Sequence, residues 1–190
     1  MPGVIGLKVA SAKATVERYG PGEEATDFVP GDFILAHRHH FLAGLISLAQ
    51  RRRFGGADAV YAHWSHTALV VDKDGSLVEA EIAGVRQNPI SRYRDDEYHL
   101  VRLGPEFAAQ EREAAVAYSR DQVGQGFGFL DMFGAGLYLL VGWPVRLARH
   151  GHEICSGLVV RALQAGGRLP QLDPLLTLPA DLAKLYDVRP

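Results

Sequence analysis

The alternation of apolar and polar positions is clearest between residues 64 and 82. Trp64-Ser65-His66-Thr67-Ala68-Leu69-Val70-Val71 reads as a strand, Asp72-Lys73-Asp74-Gly75 as a turn, and Ser76-Leu77-Val78-Glu79-Ala80-Glu81-Ile82 as the return strand. Asp-Gly between two β-rich runs is a strong short-range hairpin cue. A period of two puts His66, Ala68 and Val70 on one face of the first strand, and Leu77, Glu79 and Glu81 on one face of the second. If the connecting loop has an even number of residues, the two faces coincide and a carboxylate lies near the imidazole. A tight register sets Glu81 nearly opposite His66 and Glu79 diagonally from it. Spacing alone does not choose between the two.

The rest of the chain divides around this hairpin. Residues 1–27 are mixed in pattern, with a turn at Gly20-Pro21-Gly22, and read as a strand or an irregular arm. Val29-Pro30-Gly31-Asp32 is a turn into a short apolar strand, Phe33-Ile34-Leu35-Ala36. The span Phe41 to Ala49 predicts a helix, followed by Arg51-Arg52-Arg53, and Phe54 to Ala62 predicts a glycine-containing loop. Near the C-terminal end, the polar stretch before Cys155 gives way to a helical apolar pattern over Ser156–Ala165. There is no internal repeat and no low-complexity tract.

The longest apolar stretch runs from Phe127 to Val145. Its length approaches the roughly 20 residues that a membrane-spanning helix needs. Asp131, four glycines and Pro144 argue against a spanning helix. A buried helix or a wall beside the active site is expected instead. A membrane-facing lid is the alternative, and the stretch is where a lipid substrate would be accommodated.

At 190 residues and 47% hydrophobic content the chain is long enough for one well-packed domain and short for two. A formal charge of −2 gives no electrostatic case for nucleic-acid binding. A single cysteine excludes an intrachain disulfide and any Cys-rich zinc cluster. Met1-Pro2-Gly3-Val4-Ile5-Gly6-Leu7-Lys8 lacks a basic region followed by a sustained apolar one, so a cytoplasmic location is the default, with signal-independent export left open. The histidines fall in groups: His37, His39 and His40; His63 and His66; His150 and His152. With no HExxH pattern and no paired cysteines, they read as polar loop residues, and neither metal nor cofactor is expected. Arg51–Arg53 reads as a solvated patch able to steer an anionic substrate.

Chemistry concentrates at Cys155, which stands where the last apolar helix begins, in Glu153-Ile154-Cys155-Ser156-Gly157-Leu158-Val159-Val160. A helix N-terminus carries roughly +0.5 of a charge from unpaired backbone N–H groups. Such an end, or a neighbouring imidazolium, shifts a thiol toward the thiolate that attacks carbonyls. A carboxylate beside a histidine fixes the ring tautomer and stabilises the imidazolium. Cys155, His66 and one of the two glutamates therefore form a candidate catalytic set.

Taken together, these residues resemble the NlpC-type papain-like cysteine hydrolases. Cys155-Ser156-Gly157-Leu158-Val159 matches that family's nucleophile motif. His66-Thr67-Ala68-Leu69-Val70-Val71, the Gly75 turn and Leu77-Val78-Glu79-Ala80 look like its histidine and third-residue strands. Here the histidine hairpin precedes the cysteine, an order similar to the circularly permuted branch with the YiiX-like and lecithin–retinol acyltransferase-like proteins. Pro30-Gly31-Asp32-Phe33-Ile34, Gly128-Phe129-Leu130-Asp131 and Leu178-Pro179-Ala180-Asp181-Leu182 resemble that branch's opening, pre-cysteine and closing segments. The resemblance covers roughly residues 29 to 188, with the specific matches in the two catalytic segments. It departs from common members in having Ile154, not an acidic residue, directly before the cysteine, and Glu79 where a histidine is frequent.

The resemblance implies a single permuted papain-like domain of α+β class, with an antiparallel sheet packed against the cysteine helix. Residues 29–188 would form the core and 1–27 an N-terminal arm. It also implies Cys155 as nucleophile, His66 as base and Glu79, rather than Glu81, as the third residue. Trp64, Ser65 and Ser156, which flank the catalytic residues, are expected to touch substrate. The expected activity is cleavage of an amide or peptide bond. The alternatives are a thiol acyltransferase or lipase acting on lipid at a membrane surface through residues 127–145, and a binding module without catalysis.

Overall fold

The structure is a computed structural model and describes residues 14–38, 47–48, 50–81, 83–125 and 155–190. Most of the expected helix Phe41–Ala49 lies outside the described residues, although 47, 48 and 50–53 are helical. The apolar stretch Phe127–Val145, the segment Gly128–Asp131, and His39, His40, His150, His152, Glu153 and Ile154 also lie outside them.

The Asp72–Gly75 turn forms as its residues dictate. Asp72 Oδ1 accepts the backbone N–H groups of Asp74 at 3.0 Å and Ser76 at 2.9 Å. Gly75 has φ +81°, and a Cβ there would lie 2.7 Å from the Phe28 ring, so only glycine fits. The turn joins β3 (His66–Val70) to β4 (Ser76–Glu81). These strands belong to one antiparallel sheet with β1 (Ala14–Tyr19), β2 (Phe33–His37), β5 (Gly84–Pro89) and β6 (Glu97–Leu103), in the order β1-β6-β2-β3-β4-β5. The expected arm is thus in part an edge strand, paired with β6 from Ala14–Leu103 to Tyr19–Tyr98. The span 54–62 is also more regular than the expected loop. A 3₁₀ helix runs over Gly56–His63 because Tyr61 and Ala62 turn into the core, and the tight winding keeps the backbone bonded.

Both faces of the sheet are covered. Phe33, Leu35, Leu69, Val78 and Val101 face the helices α1 (Ala109–Asp121), α2 (Cys155–Ala165) and α3 (Pro179–Leu185). Ile34, Ala36, Ala68, Val70, Leu77 and Leu100 face the other way, under Ala25, Phe28, Ile90 and Tyr93. The chain is therefore a mixed helix-and-sheet protein with the cysteine helix packed on β3 and β4. Every residue of α2 from Cys155 to Val160 is buried, as the apolar run requires. The helix stops at Gly167, φ +77°, where Arg168 N–H bonds to Leu163 and Gly167 N–H to Gln164 in the double bond of a Schellman end.

A buried ion pair ties α1 to the sheet. Asp32, 1% exposed, accepts Arg112 at 2.7 Å and the Leu103 N–H at 3.0 Å. Arg112 also donates to the carbonyls of Pro30, Phe107 and Leu103. Breaking such a pair from one side costs about 3–5 kcal/mol, because a buried charge is left without a partner. Among the described residues no helix is long and apolar enough to cross a membrane.

Candidate active site

His66 opens β3, paired across from Ala36. Strand alternation places its ring on the face shared by Ala68 and Val70, where it stacks 6.2 Å from Tyr93. Glu79 shares that face. The β3–β4 partners are Leu69–Val78 and Val70–Leu77, a register that, continued along the strands, sets Glu79 diagonal to His66. The diagonal contact is the one made: His66 Nε2 and Glu79 Oε2 are 2.7 Å apart. Glu81 instead pairs with Arg92 at 3.0 Å and Arg38 at 3.8 Å. Register left the two glutamates unresolved; the imidazole contact separates them, with Arg38 turned to Glu81 and Arg92 nearer Glu81 than Glu79, which it meets at 3.9 Å.

Cys155 reaches this imidazole from the opposite face. It is the first residue of α2, whose first turn carries no acidic side chain to offset the positive helix end. The backbone pairs described between β3 and β4 lie toward the turn, which leaves the Thr67 N–H to the sulfur. The Ser156 N–H also donates to it, and His66 is hydrogen-bonded to it. Since Nε2 of His66 is committed to Glu79, Nδ1 is the nitrogen that meets the thiol.

The electrostatics follow from burial opposed by partners. Burial pushes the Cys155 thiol up, but the His66 cation and the Thr67 and Ser156 N–H groups hold it below its ordinary 9.0. Burial disfavours a charged His66, yet Cys155 and Glu79 raise it to about 10. Glu79 is 0% exposed and would be driven up by desolvation. Hydrogen bonds from His66, Tyr93 and Asn88 keep it ionised, at about 2. Each shift favours a thiolate–imidazolium pair backed by a carboxylate. His66 at 7% and Cys155 at 6% exposure leave only a narrow approach to the sulfur.

No family model matches the chain, and no curated protein matches it. The chemistry of the site therefore rests on its own geometry.

The three residues expected to touch substrate have buried side chains that bond within the protein. Trp64 is 0% exposed, donates Nε1–H to the Val188 carbonyl at 2.9 Å and lies 4.4 Å from the His99 ring. The Ser65 hydroxyl accepts the Arg38 N–H at 2.9 Å, and Ser156 donates to the Thr177 carbonyl at 2.6 Å. An indole and two hydroxyls beside His66 and Cys155 satisfy backbone groups here and so frame the site.

The remaining histidines and arginines divide similarly. His37 donates Nδ1–H to the His63 carbonyl at 2.7 Å and stacks on its ring, and His63 Nε2 lies 2.8 Å from Glu97. Among the described residues no three His, Cys, Asp or Glu side chains are gathered as a metal site. Arg53 ties the short helical piece to α3 through Asp181 at 2.8 Å, so it is not simply a solvated charge.

Two residues that sequence reasoning missed complete the site. Tyr93 donates its hydroxyl to Glu79 Oε2 at 2.5 Å, and Asn88 donates Nδ2–H to Oε1 at 2.9 Å. The only local signal is the turn-forming Asn88-Pro89 pair, which marks a boundary and gives no hint of chemistry.

The contrast between the glutamates is testable. Glu79→Gln is expected to lower turnover by about tenfold or more, because it removes the charge behind the imidazolium, while Glu81→Gln stays within about twofold. Initial rates of the two variants at one pH decide it, and the reverse order would assign the wrong carboxylate.

Proposed function

We propose that this protein is a cysteine hydrolase cleaving an amide or peptide bond, on a permuted papain-like fold. The observation that carries the reading is the convergence at one buried point of a thiol at a helix N-terminus, an imidazole and an ionised carboxylate 2.7 Å from it. The lowered thiol and raised imidazole supply the charge state that acyl transfer needs.

The steps follow from those positions. The Cys155 thiolate attacks the carbonyl carbon, the C–S bond forms, and the carbonyl π pair moves to oxygen. Backbone N–H groups at the start of α2 are the donors that would hold the developing oxyanion. As the intermediate collapses, the C–N bond breaks and His66 Nδ1–H passes its proton to the departing amine. A thioester and a neutral imidazole remain. His66 then takes a proton from water, the hydroxide adds to the thioester, and collapse expels the thiolate with release of the acid. Glu79 holds the ring throughout.

The test is to trap the thioester. Peptide p-nitroanilides, short and long acyl p-nitrophenyl esters and acyl thioesters are mixed with the protein, and intact mass is read at early times. An acyl adduct mapped to Cys155, with release of free acid, is the expected result. Acylation only by long-chain esters, with transfer to an added alcohol or amine, would replace the hydrolase with a lipid acyltransferase. No adduct with any of these substrates would leave a binding module on the same scaffold.

A further inference from the structure

We infer that Tyr93 is a positioning residue for the Cys155–His66 pair: its hydroxyl pins the Glu79 carboxylate in the one orientation that turns His66 Nδ1 toward the thiol. This rests on the reading of Cys155 as nucleophile. The Tyr93 hydroxyl and His66 Nε2 reach the same oxygen of Glu79, at 2.5 Å and 2.7 Å, and Asn88 takes the other oxygen at 2.9 Å. A carboxylate with a single partner turns freely, since its terminal torsion is broad and two-fold. Three hydrogen-bond donors on two oxygens, with the Arg92 guanidinium a further 3.9 Å from Oε1, leave it one position, and an O–H donor to a carboxylate is among the shorter and stronger hydrogen bonds.

Tyr93 is itself held on several sides. Its side chain is 0% exposed and ends a short 3₁₀ helix, Ile90–Tyr93. The Arg38 guanidinium lies 4.9 Å over its ring, and the Tyr98 ring meets it edge-on at 6.2 Å. Arg38 is anchored in turn by Asp96 at 3.3 Å. Burial and the Glu79 charge keep the phenol protonated well past its ordinary range, so it remains a donor wherever the enzyme works. The chain of support runs from the Arg38-clamped ring through Glu79 to His66 and the sulfur. A tyrosine that merely filled the core would stabilise the fold and leave the thiol's reactivity unchanged.

The experiment is the pH dependence of iodoacetamide labelling at Cys155 in wild type, Tyr93→Phe, Glu79→Gln and the double variant, with thermal melts of each. Tyr93→Phe is expected to slow labelling about tenfold at neutral pH and to move the midpoint upward. In the Glu79→Gln background the same change is expected to add less than about twofold, because the carboxylate it acts through is gone. Site-specific 3-fluorotyrosine at position 93 keeps ring and donor, and is expected to return the wild-type profile. If Tyr93→Phe fails to fold, 4-aminophenylalanine at position 93 carries the test: it keeps the volume with a weaker donor and is expected to move the midpoint upward, and an unmoved midpoint overturns the inference. A wild-type profile in Tyr93→Phe overturns the inference, as does an undiminished effect in the Glu79→Gln background or no rescue by the fluorinated residue. A wild-type thiol that titrates like an ordinary cysteine overturns the Cys–His pair itself, and Tyr93's role with it.

Discussion

Cys155→Ala is expected to reduce acyl transfer by about 10⁴-fold or more and leave the protein folded, since removing a nucleophile eliminates the covalent route rather than weakening it. The fold should tolerate the change. The side chain is small, and the packing of α2 is carried by Leu158, Val159, Val160, Ala162 and Leu163, all buried at 0% exposure. The measurement is initial rate on the best acyl substrate, beside a thermal melt. Turnover retained at more than about one hundredth of wild type, in a folded variant, would remove Cys155 as nucleophile. His66 should respond as well. The sulfur is one of the two groups that raise its pKa, so in Cys155→Ala the imidazole should titrate below about 10, which ring-proton NMR reads directly. An unmoved imidazole would mean the two side chains do not interact.

What the sequence showed of this arrangement was its local part. The hairpin was legible because Asp72 and Gly75 carry their own turn chemistry, and the α2 start because the apolar pattern changes at one cysteine. The choice of Glu79 over Glu81 was not local. Both face the same way, and they are separated by Arg38 and the nearer contact of Arg92, which draw off Glu81, and by Asn88 and Tyr93, which hold Glu79. Those partners lie just after β2, on β5 and in the segment after β5. The span from β5 to α1 showed little pattern for physical reasons. β5 is a polar edge strand, β6 lies between β1 and β2 with both faces covered, and α1 buries only Ala115, Val116 and Ser119. The burial of Trp64, Ser65 and Ser156 depends on the carbonyls of Val188 and Thr177 and the Arg38 N–H. All three lie more than twenty residues away, beyond the reach of any local pattern.

His66→Ala is expected to have the second large effect, and the pH profile shows its cause. In wild type two influences act on the thiol: burial, which raises its pKa, and the His66 cation with two backbone N–H groups, which lower it and prevail. Without His66 the opposition falls to Thr67 and Ser156 alone, so the labelling midpoint should rise from below 9.0 toward or above it. Labelling with iodoacetamide then slows at every pH under that value. Turnover differs because it also needs a proton donor. Its rising limb follows formation of the thiolate, and its falling limb follows loss of the His66 proton as pH climbs through about 10. Alkylation, which needs no donor, should lack that falling limb. Both limbs belong to the coupled pair and not to one residue, so they should move together when Glu79 is changed. Coincident alkylation profiles for wild type and His66→Ala would show that the imidazole, though within reach of the sulfur, does not set its charge.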